Sequence, residues 1–132
     1  MKKILLVNLL FCLSINNISA KDLELGSYNV ENLFDAEHDI EDGIDKDDWT
    51  FLPKDAPGKK EACKNEKSKH HRKDCNATDW NERSVDLKIS QIKEILSREH
   101  SLPTFLGIQE VENPKVVSRL AKKLGYTEFE MT

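Results

Sequence analysis

The stretch LGIQEVENPK, residues 106–115, predicts a strand that stops where a helix begins. Its apolar start is typical of a buried strand, and Glu110 follows at the strand's end. Asn113 is a favourable N-cap, and Pro114 suits the first position of a helix. Ligands of open α/β sheets bind at the carboxyl ends of the strands, so Glu110 is a candidate site residue. The alternative interpretation is an exposed acid that only favours the positive end of a helix dipole.

A second stretch, LELGSYNVENLFD at residues 23–35, predicts another strand from about Asp22 to Val30. A long polar connection follows it. Asn29 would then lie where the strand ends. An asparagine at such a position can bind a phosphate oxygen or hold a metal-binding carboxylate in place.

Together, SYNVENLFD and LGIQEVENP resemble motifs of the endonuclease/exonuclease/phosphatase superfamily, which has the DNase I-like fold. The resemblance is greatest to its secreted bacterial nuclease-like members. It implies that Asn29 is the first active-site asparagine and that Glu110 binds the divalent metal. Both residues are therefore candidate catalytic and metal-site residues. Gln109 is expected to face the opposite side of the strand and to be structural.

The fold class that the resemblance implies is α/β: the N-terminal part of a DNase I-like four-layer α/β sandwich, incomplete in this chain. The implied function is Mg²⁺-dependent phosphodiester hydrolysis, with nucleic acid as the substrate. The family's catalytic His–Asp pair, second histidine and Asp-x-Asn motif come from later segments, and none is found in this sequence. The four histidines are expected in loops or at a helix end. We therefore expect this chain alone to be inactive. Because its predicted three-stranded sheet has open edges and one poorly covered face, we also expect the chain to fold poorly in isolation.

Residues 1–20 have the pattern of a signal peptide. A basic Lys2-Lys3 pair precedes the apolar run from Ile4 to Leu13, and small residues precede a cleavage point before Lys21. The apolar run is far shorter than the ~20 residues of a membrane span. The pattern predicts a secreted or periplasmic protein without stable membrane association, whose folded part is residues 21–132.

Removal of that peptide leaves 18 basic and 24 acidic side chains, a formal charge of −6. An acidic chain has no general attraction to nucleic acid or to anionic membranes. A nuclease of this composition must hold phosphates locally, with a metal ion and a few cations.

Two cysteines, Cys63 and Cys75, remain in the predicted mature chain. An even number of cysteines in an exported protein favours a disulfide between them. The alternatives are a zinc site that also uses His70 and His71, or two free thiols. Adjacent histidines do not easily bind one ion, and the chain has no C-x-x-C motif.

A long charged connection, about residues 31–78, is expected to be a solvated loop. Its first part is acidic, from Glu31 to Asp48, and its second part is basic, from Lys59 to Lys73. The acidic part does not match the spacing of an EF-hand calcium loop. The functional alternative for the basic part is that it supplies the phosphate contacts that the acidic chain otherwise lacks.

The rest of the chain alternates helices and strands. A helix is predicted from about Asp79, with Glu82 as its capping-box partner, and its apolar face is Val85, Ile89, Ile92, Ile95 and Leu96. The next elements are a strand from Thr104 to Gln109, a helix from Pro114 to Leu124 that ends at Gly125, and a third strand from Tyr126 to Met131. This order predicts a parallel sheet with right-handed crossovers.

Three other functions are compatible with the sequence. The first is a lipid or inositol-phosphate phosphodiesterase of the same superfamily. The second is a non-catalytic exported fragment. The third is a calcium- or polyanion-binding module formed by the two charged segments. The sequence favours neither DNA nor RNA, neither endo- nor exonucleolytic cleavage, and no particular oligomeric state.

Overall fold

Two parallel strands, β1 (Leu25–Leu33) and β4 (Phe105–Val111), form the sheet of this mixed α/β chain. The computed structural model describes residues 23–41, 44–45, 48–98 and 101–131. The predicted signal peptide and His100 lie outside these residues. The other elements are β2 (Ile40–Glu41), β3 (Ile44–Asp45), a 3₁₀ helix (Trp49–Phe51), α1 (Lys59–Asn65), α2 (Lys69–Ala77), α3 (Glu82–Leu96) and α4 (Pro114–Leu124).

Both strands extend further than the sequence predicts. Their pairing is regular from Leu25 opposite Phe105 to Asn29 opposite Gln109, and it resumes only at Leu33 opposite Val111. The predicted strand ends at Val30 and Gln109 were therefore wrong, because both strands continue through an irregular stretch before they separate. Asn29 marks the end of the regular pairing and not the end of the strand.

One face of the sheet packs against α3 and α4, and there the hydrophobic core forms. Its buried side chains come from β1, α3 and α4, and partly buried residues of β4 pack against them: Val30, Leu33, Val85, Ile89, Ile92, Val116, Leu120 and Leu124, with Leu106, Ile108 and Val111 of β4. The opposite face carries Leu25 and Phe105, which are exposed. The core thus fixes the two strands and both helices as one α/β unit.

The start of α3 differs from its prediction. Asn81 is the N-cap, and its Oδ1 accepts hydrogen bonds from the amides of Arg83 (3.1 Å) and Ser84 (3.2 Å). Asp79 instead accepts a bond from the Lys54 amide, so the predicted capping box was wrong. On the predicted apolar face, Ile95 is exposed, whereas Leu96 one residue later packs against the core, because Ile95 lies off the centre of that face.

Helix α4 has the bounds that its sequence predicts. Asn113 caps it through a 3.1 Å bond from the Val116 amide, and Pro114 occupies the first turn. Gly125 ends it with a φ of 95°, a left-handed conformation that glycine adopts without strain. This helix was predictable because capping residues and apolar spacing agree along its whole length.

The predicted third strand, Tyr126 to Met131, was wrong: residues 126–131 have no strand conformation. Tyr126 returns to the main unit, where its hydroxyl donates to the carbonyl of Pro103 (2.7 Å). Burial raises the pKa of this hydroxyl above its ordinary value. Alternating apolar residues alone did not make a strand, because this segment pairs with no other strand among the described residues.

The prediction that the whole charged connection is a loop was wrong, because its basic part is helical. Helices α1 and α2 are joined by a disulfide between Cys63 and Cys75, the pairing that the sequence favours. We call residues Lys59–Ala77, with this disulfide, the stapled arm. Among the described residues, no helix is both long enough and apolar enough to cross a bilayer.

A buried lysine anchors the stapled arm to the rest of the chain. Lys59 is 2% exposed, and its Nζ donates to the carbonyls of Leu52 (2.5 Å), Thr78 (3.0 Å) and Thr50 (3.3 Å). Burial lowers the pKa of this ammonium, and the charges of Asp79 and Asp48 partly oppose that effect. Lys59 therefore joins its own helix to two backbone segments, residues 50–52 and Thr78, through polar contacts.

Candidate functional site

The two predicted site residues meet where the regular pairing of β1 and β4 ends, towards the carboxyl ends of both strands. The Asn29 side-chain amide donates from Nδ2 to Oε1 of Glu110 over 2.7 Å, although 81 positions separate the residues. Both side chains are exposed. Parallel pairing aligns the two strands at the same edge, and it thereby brings an amide and a carboxylate into contact.

A left-handed backbone conformation at Glu110 allows its carboxylate to reach Asn29. Asn29 lies opposite Gln109, and Gln109 Nε2 donates to Ser27 Oγ (3.1 Å), so these three side chains share one face. Regular alternation would direct the next residue, Glu110, to the other face. Its φ of 61° breaks that alternation and lets the carboxylate reach Asn29. The expectation that Gln109 faces the opposite side of the strand from Glu110 stays a prediction.

Positive φ values recur on the neighbouring strand. Glu31 has a φ of 53° and Asn32 a φ of 66°, and both lie where the β1–β4 pairing is irregular. Such a conformation costs a non-glycine residue roughly 1–2 kcal/mol. Strained residues of this kind cluster at functional sites, where surrounding contacts hold them.

Specific hydrogen bonds hold the irregular stretch. The Glu31 amide donates to Asn29 Oδ1 (2.7 Å), and Lys88 Nζ from α3 donates to the Glu31 carbonyl (3.0 Å). The Asn29 side chain therefore accepts from the backbone with its oxygen and donates to Glu110 with its nitrogen. This arrangement makes Asn29 a residue that positions the carboxylate.

The Glu110 carboxylate has the chemistry of a ligand for a hard cation. Asn29 holds one of its oxygens, and the other has no hydrogen-bond partner among the described residues. Mg²⁺ prefers one or two carboxylates and keeps several waters, so an exposed carboxylate that is already oriented fits such an ion. The donor set is therefore suitable for a divalent metal, with Glu110 as the ligand and Asn29 beside it.

A second group of acids lies next to this contact. The carboxylates of Asp35, Asp39 and Glu112 approach within 4.8 Å of one another, and Asp35 is only 3% exposed. The Asn113 Nδ2 donates to all three, and the Asp35 amide donates to Glu112 Oε2 (2.8 Å). These bonds tie the start of the long connection to the N-terminus of α4, whose dipole favours negative charge. Asp35 and Asp39 belong to the acidic segment noted in the sequence, but nothing in their spacing links them to Glu112.

Comparisons with known protein families, with curated proteins and with solved structures found no match.

The histidines of the stapled arm lie at a helix end, one of the two placements that the sequence predicts. His70 and His71 are the second and third residues of α2. His70 Nε2 is 3.2 Å from Asp74 Oδ2, one helical turn later. The spacing of four residues would have revealed this pair if the helix had been predicted.

A cleft of about 660 Å³ separates α2 from the irregular end of β1. Asn32 lines one side and His70 and His71 line the other, with Trp49 and Phe51 also exposed to it. Asn32 is three residues from Asn29. The cleft therefore lies between the stapled arm and the irregular stretch that follows Asn29 in β1.

Proposed function

We propose that this chain is an exported, Mg²⁺-dependent phosphodiester hydrolase that acts on nucleic acid. In this proposal residues 21–132 are the N-terminal portion of a DNase I-like four-layer α/β sandwich. The observation that carries the proposal is the 2.7 Å contact between Asn29 and Glu110 at the aligned ends of two parallel strands. The motif resemblance names the same two residues, and they come from segments far apart in the chain.

The chemistry of phosphodiester hydrolysis explains why these two residue types belong together. A Mg²⁺ ion neutralises charge on the phosphoryl oxygens and stabilises the leaving oxygen. Glu110 would bind that ion through its free oxygen. Asn29 would hold the carboxylate in the binding geometry, and Lys88 would support Asn29 indirectly through the Glu31 carbonyl.

Export is part of the same proposal, through the signal-peptide pattern of residues 1–20. The Cys63–Cys75 disulfide supports it, because disulfides persist in oxidising compartments such as the periplasm and the extracellular space. A cytosolic protein of this size would ordinarily keep both thiols reduced.

Metal binding tests the proposal without requiring turnover. Mn²⁺ binding to the purified chain can be measured by electron paramagnetic resonance, with Mn²⁺ in place of Mg²⁺. We expect Glu110→Gln to weaken Mn²⁺ binding at least tenfold, because it removes the only charge on the ligand. We expect Asn29→Ala to weaken it by about tenfold, the lower end of the range for residues that orient a metal ligand.

Two control variants make this measurement specific. Glu128→Gln removes one exposed acid elsewhere on the chain and should leave Mn²⁺ binding unchanged. Asp35→Asn tests the neighbouring acid group. If Asp35→Asn abolishes Mn²⁺ binding while Glu110→Gln does not affect it, Glu110 is not the metal ligand and the proposal fails.

A further inference from the structure

We propose that the stapled arm is a nucleic-acid-binding surface, which holds the phosphate backbone of the substrate beside the Asn29–Glu110 contact. This inference rests on the proposed function and adds a second, separate role to it. Glu110 would act on one phosphodiester, and the arm would bind the phosphates next to it.

The charge of the arm is opposite to that of the rest of the protein. Its 19 residues carry seven Lys or Arg side chains and three Asp or Glu, whereas the remaining residues carry 13 and 21. All of these basic side chains except Lys59 are exposed. An acidic protein that binds a polyanion needs a local cationic surface of this kind.

Several of these cations are not neutralised by the protein itself. Lys69, Arg72 and Lys73 lie at helical spacing on one side of α2, and Lys67 precedes them. Among the described residues, Lys67, Lys69 and Lys73 form no ion pair, and Arg72 donates only to the carbonyl of Glu66. Their charges are therefore available to an anionic partner.

The arm is attached near the carboxyl end of β1, the end of the strand that is closer to the candidate site. The chain leaves β1 at Leu33 and returns to the sheet unit at Trp80, whose Nε1 donates to the Phe34 carbonyl (3.2 Å). The rings of Phe34 and Phe51 stack with centroids 4.3 Å apart. These contacts attach the segments that flank the arm to Phe34, the residue that follows the carboxyl end of β1.

The composition of the arm favours nucleic acid over a membrane. Helices that bind membranes insert an apolar face containing residues such as Leu, Phe or Trp. The arm contains no Leu, Ile, Val, Met, Phe, Tyr or Trp. A cationic surface without an apolar face matches a hydrated phosphate backbone.

Binding of DNA in the absence of metal tests the inference. The purified chain would be titrated in EDTA with a fluorescein-labelled 20-nucleotide single strand and with the matching duplex, over a series of salt concentrations. The test variant combines Lys67→Gln, Lys69→Gln and Lys73→Gln. We expect it to bind at least tenfold more weakly at low salt. We also expect the slope of log K against log salt for the duplex to fall by about 3, one unit for each lysine that no longer binds a phosphate.

The matched control combines Lys93→Gln, Lys122→Gln and Lys123→Gln. These exposed lysines lie near the ends of α3 and α4, and the change in net charge is the same as in the test variant. Both helices begin near the carboxyl ends of the strands, and these lysines lie in their last turns. The positions are therefore remote from the site. We expect the control to bind DNA as the unmodified chain does.

Three results would overturn the inference: equal weakening in both triple variants, unchanged binding in the test variant, or binding to phosphatidylglycerol vesicles but not to DNA. The last result would indicate a membrane surface instead. The arm is tested with metal-free DNA and the lysine variants, and the metal site is tested with Mn²⁺ and Glu110→Gln. Loss of the arm's role and loss of the metal site are therefore distinguishable, because they are measured with different ligands and different variants.

Discussion

The α/β unit and the stapled arm are stabilised in different ways, although they are parts of one chain. The α/β unit, formed by β1, β4, α3 and α4, buries a cluster of aliphatic side chains between its sheet and its helices. The stapled arm buries two cysteines joined as a disulfide, and one lysine that donates to three backbone carbonyls. One region depends on the hydrophobic effect, and the other on a covalent link and polar contacts.

This difference explains how each region suits its proposed role. Apolar burial fixes the strands, and thereby the relative positions of Asn29 and Glu110. Because the disulfide stabilises the arm, the arm needs few apolar residues, and ten of its 19 residues are charged. A segment of this composition, low in apolar residues and rich in charge, would not be expected to fold without such a link.

The largest effect should come from the core of the α/β unit. Leu120 is fully buried in α4, so Leu120→Ala removes apolar packing and leaves a cavity. We expect a loss of about 4 kcal/mol in the free energy of unfolding, within the range for buried leucines. Urea unfolding followed by circular dichroism would measure it.

Leu87→Ala is the matched control for this prediction. Leu87 lies on α3 but is 58% exposed, so the same substitution should cost less than about 0.5 kcal/mol. If the two variants lose similar stability, the aliphatic cluster is not the main stabilising feature of this unit.

The parts of the fold that the sequence predicts correctly are those governed by apolar spacing. Helix α4 matches its predicted bounds because Asn113, Pro114 and Gly125 mark both ends of an apolar repeat. The helices of the arm were missed because Lys59–Ala77 has no such repeat. Their stability depends on the disulfide and on Lys59, and neither contact has a periodic signal.

The candidate site was predicted in part, for a related reason. Motif resemblance selected Asn29 and Glu110, and the two side chains do meet. The left-handed backbone at Glu110 that makes the contact was not predictable, because nothing in the residue type indicates a positive φ. The same limit applies to Asp35 and Asp39, whose proximity to Glu112 depends on the path of the long connection.

The second-largest effect should come from loss of the disulfide, and it should be confined to the arm. Replacing both cysteines, Cys63→Ser with Cys75→Ser, removes a link between positions 12 residues apart, for which chain entropy gives about 3 kcal/mol. We expect the amides of α1 and α2 to lose protection from hydrogen exchange, while those of α3 and α4 keep it. Reduction of the unmodified chain with dithiothreitol should give the same pattern.

This second prediction also tests whether the two regions are independent. If the amides of α3 lose as much protection as those of α2, the α/β unit depends on the arm for its stability. The contrast between the two regions would then be wrong. Retained protection in α1 and α2 after reduction would show instead that polar contacts alone maintain the arm.

The third and smallest effect should come from Lys59. Lys59→Met keeps much of the side-chain volume but removes every donor to the carbonyls of Leu52, Thr78 and Thr50. We expect a loss of about 2 kcal/mol at pH 7, since buried acceptors are left without partners. Lys60→Met, at an exposed position one residue later in the same helix, is the control and should change stability little.

The lowered pKa of Lys59 determines whether its contribution to stability rises or falls with pH. Burial lowers the pKa of Lys59 in the folded chain, so the unfolded state binds this proton more tightly than the folded state does. Between the lowered pKa and the ordinary value near 10.4, stability due to this group therefore rises with pH. The stability difference between the unmodified chain and Lys59→Met should consequently widen from pH 7 to pH 10 in urea unfolding. If the stability difference narrows over this pH range, folding favours the protonated ammonium, as it does in a buried ion pair. The arm would then be anchored by charge pairing instead of by the three carbonyls.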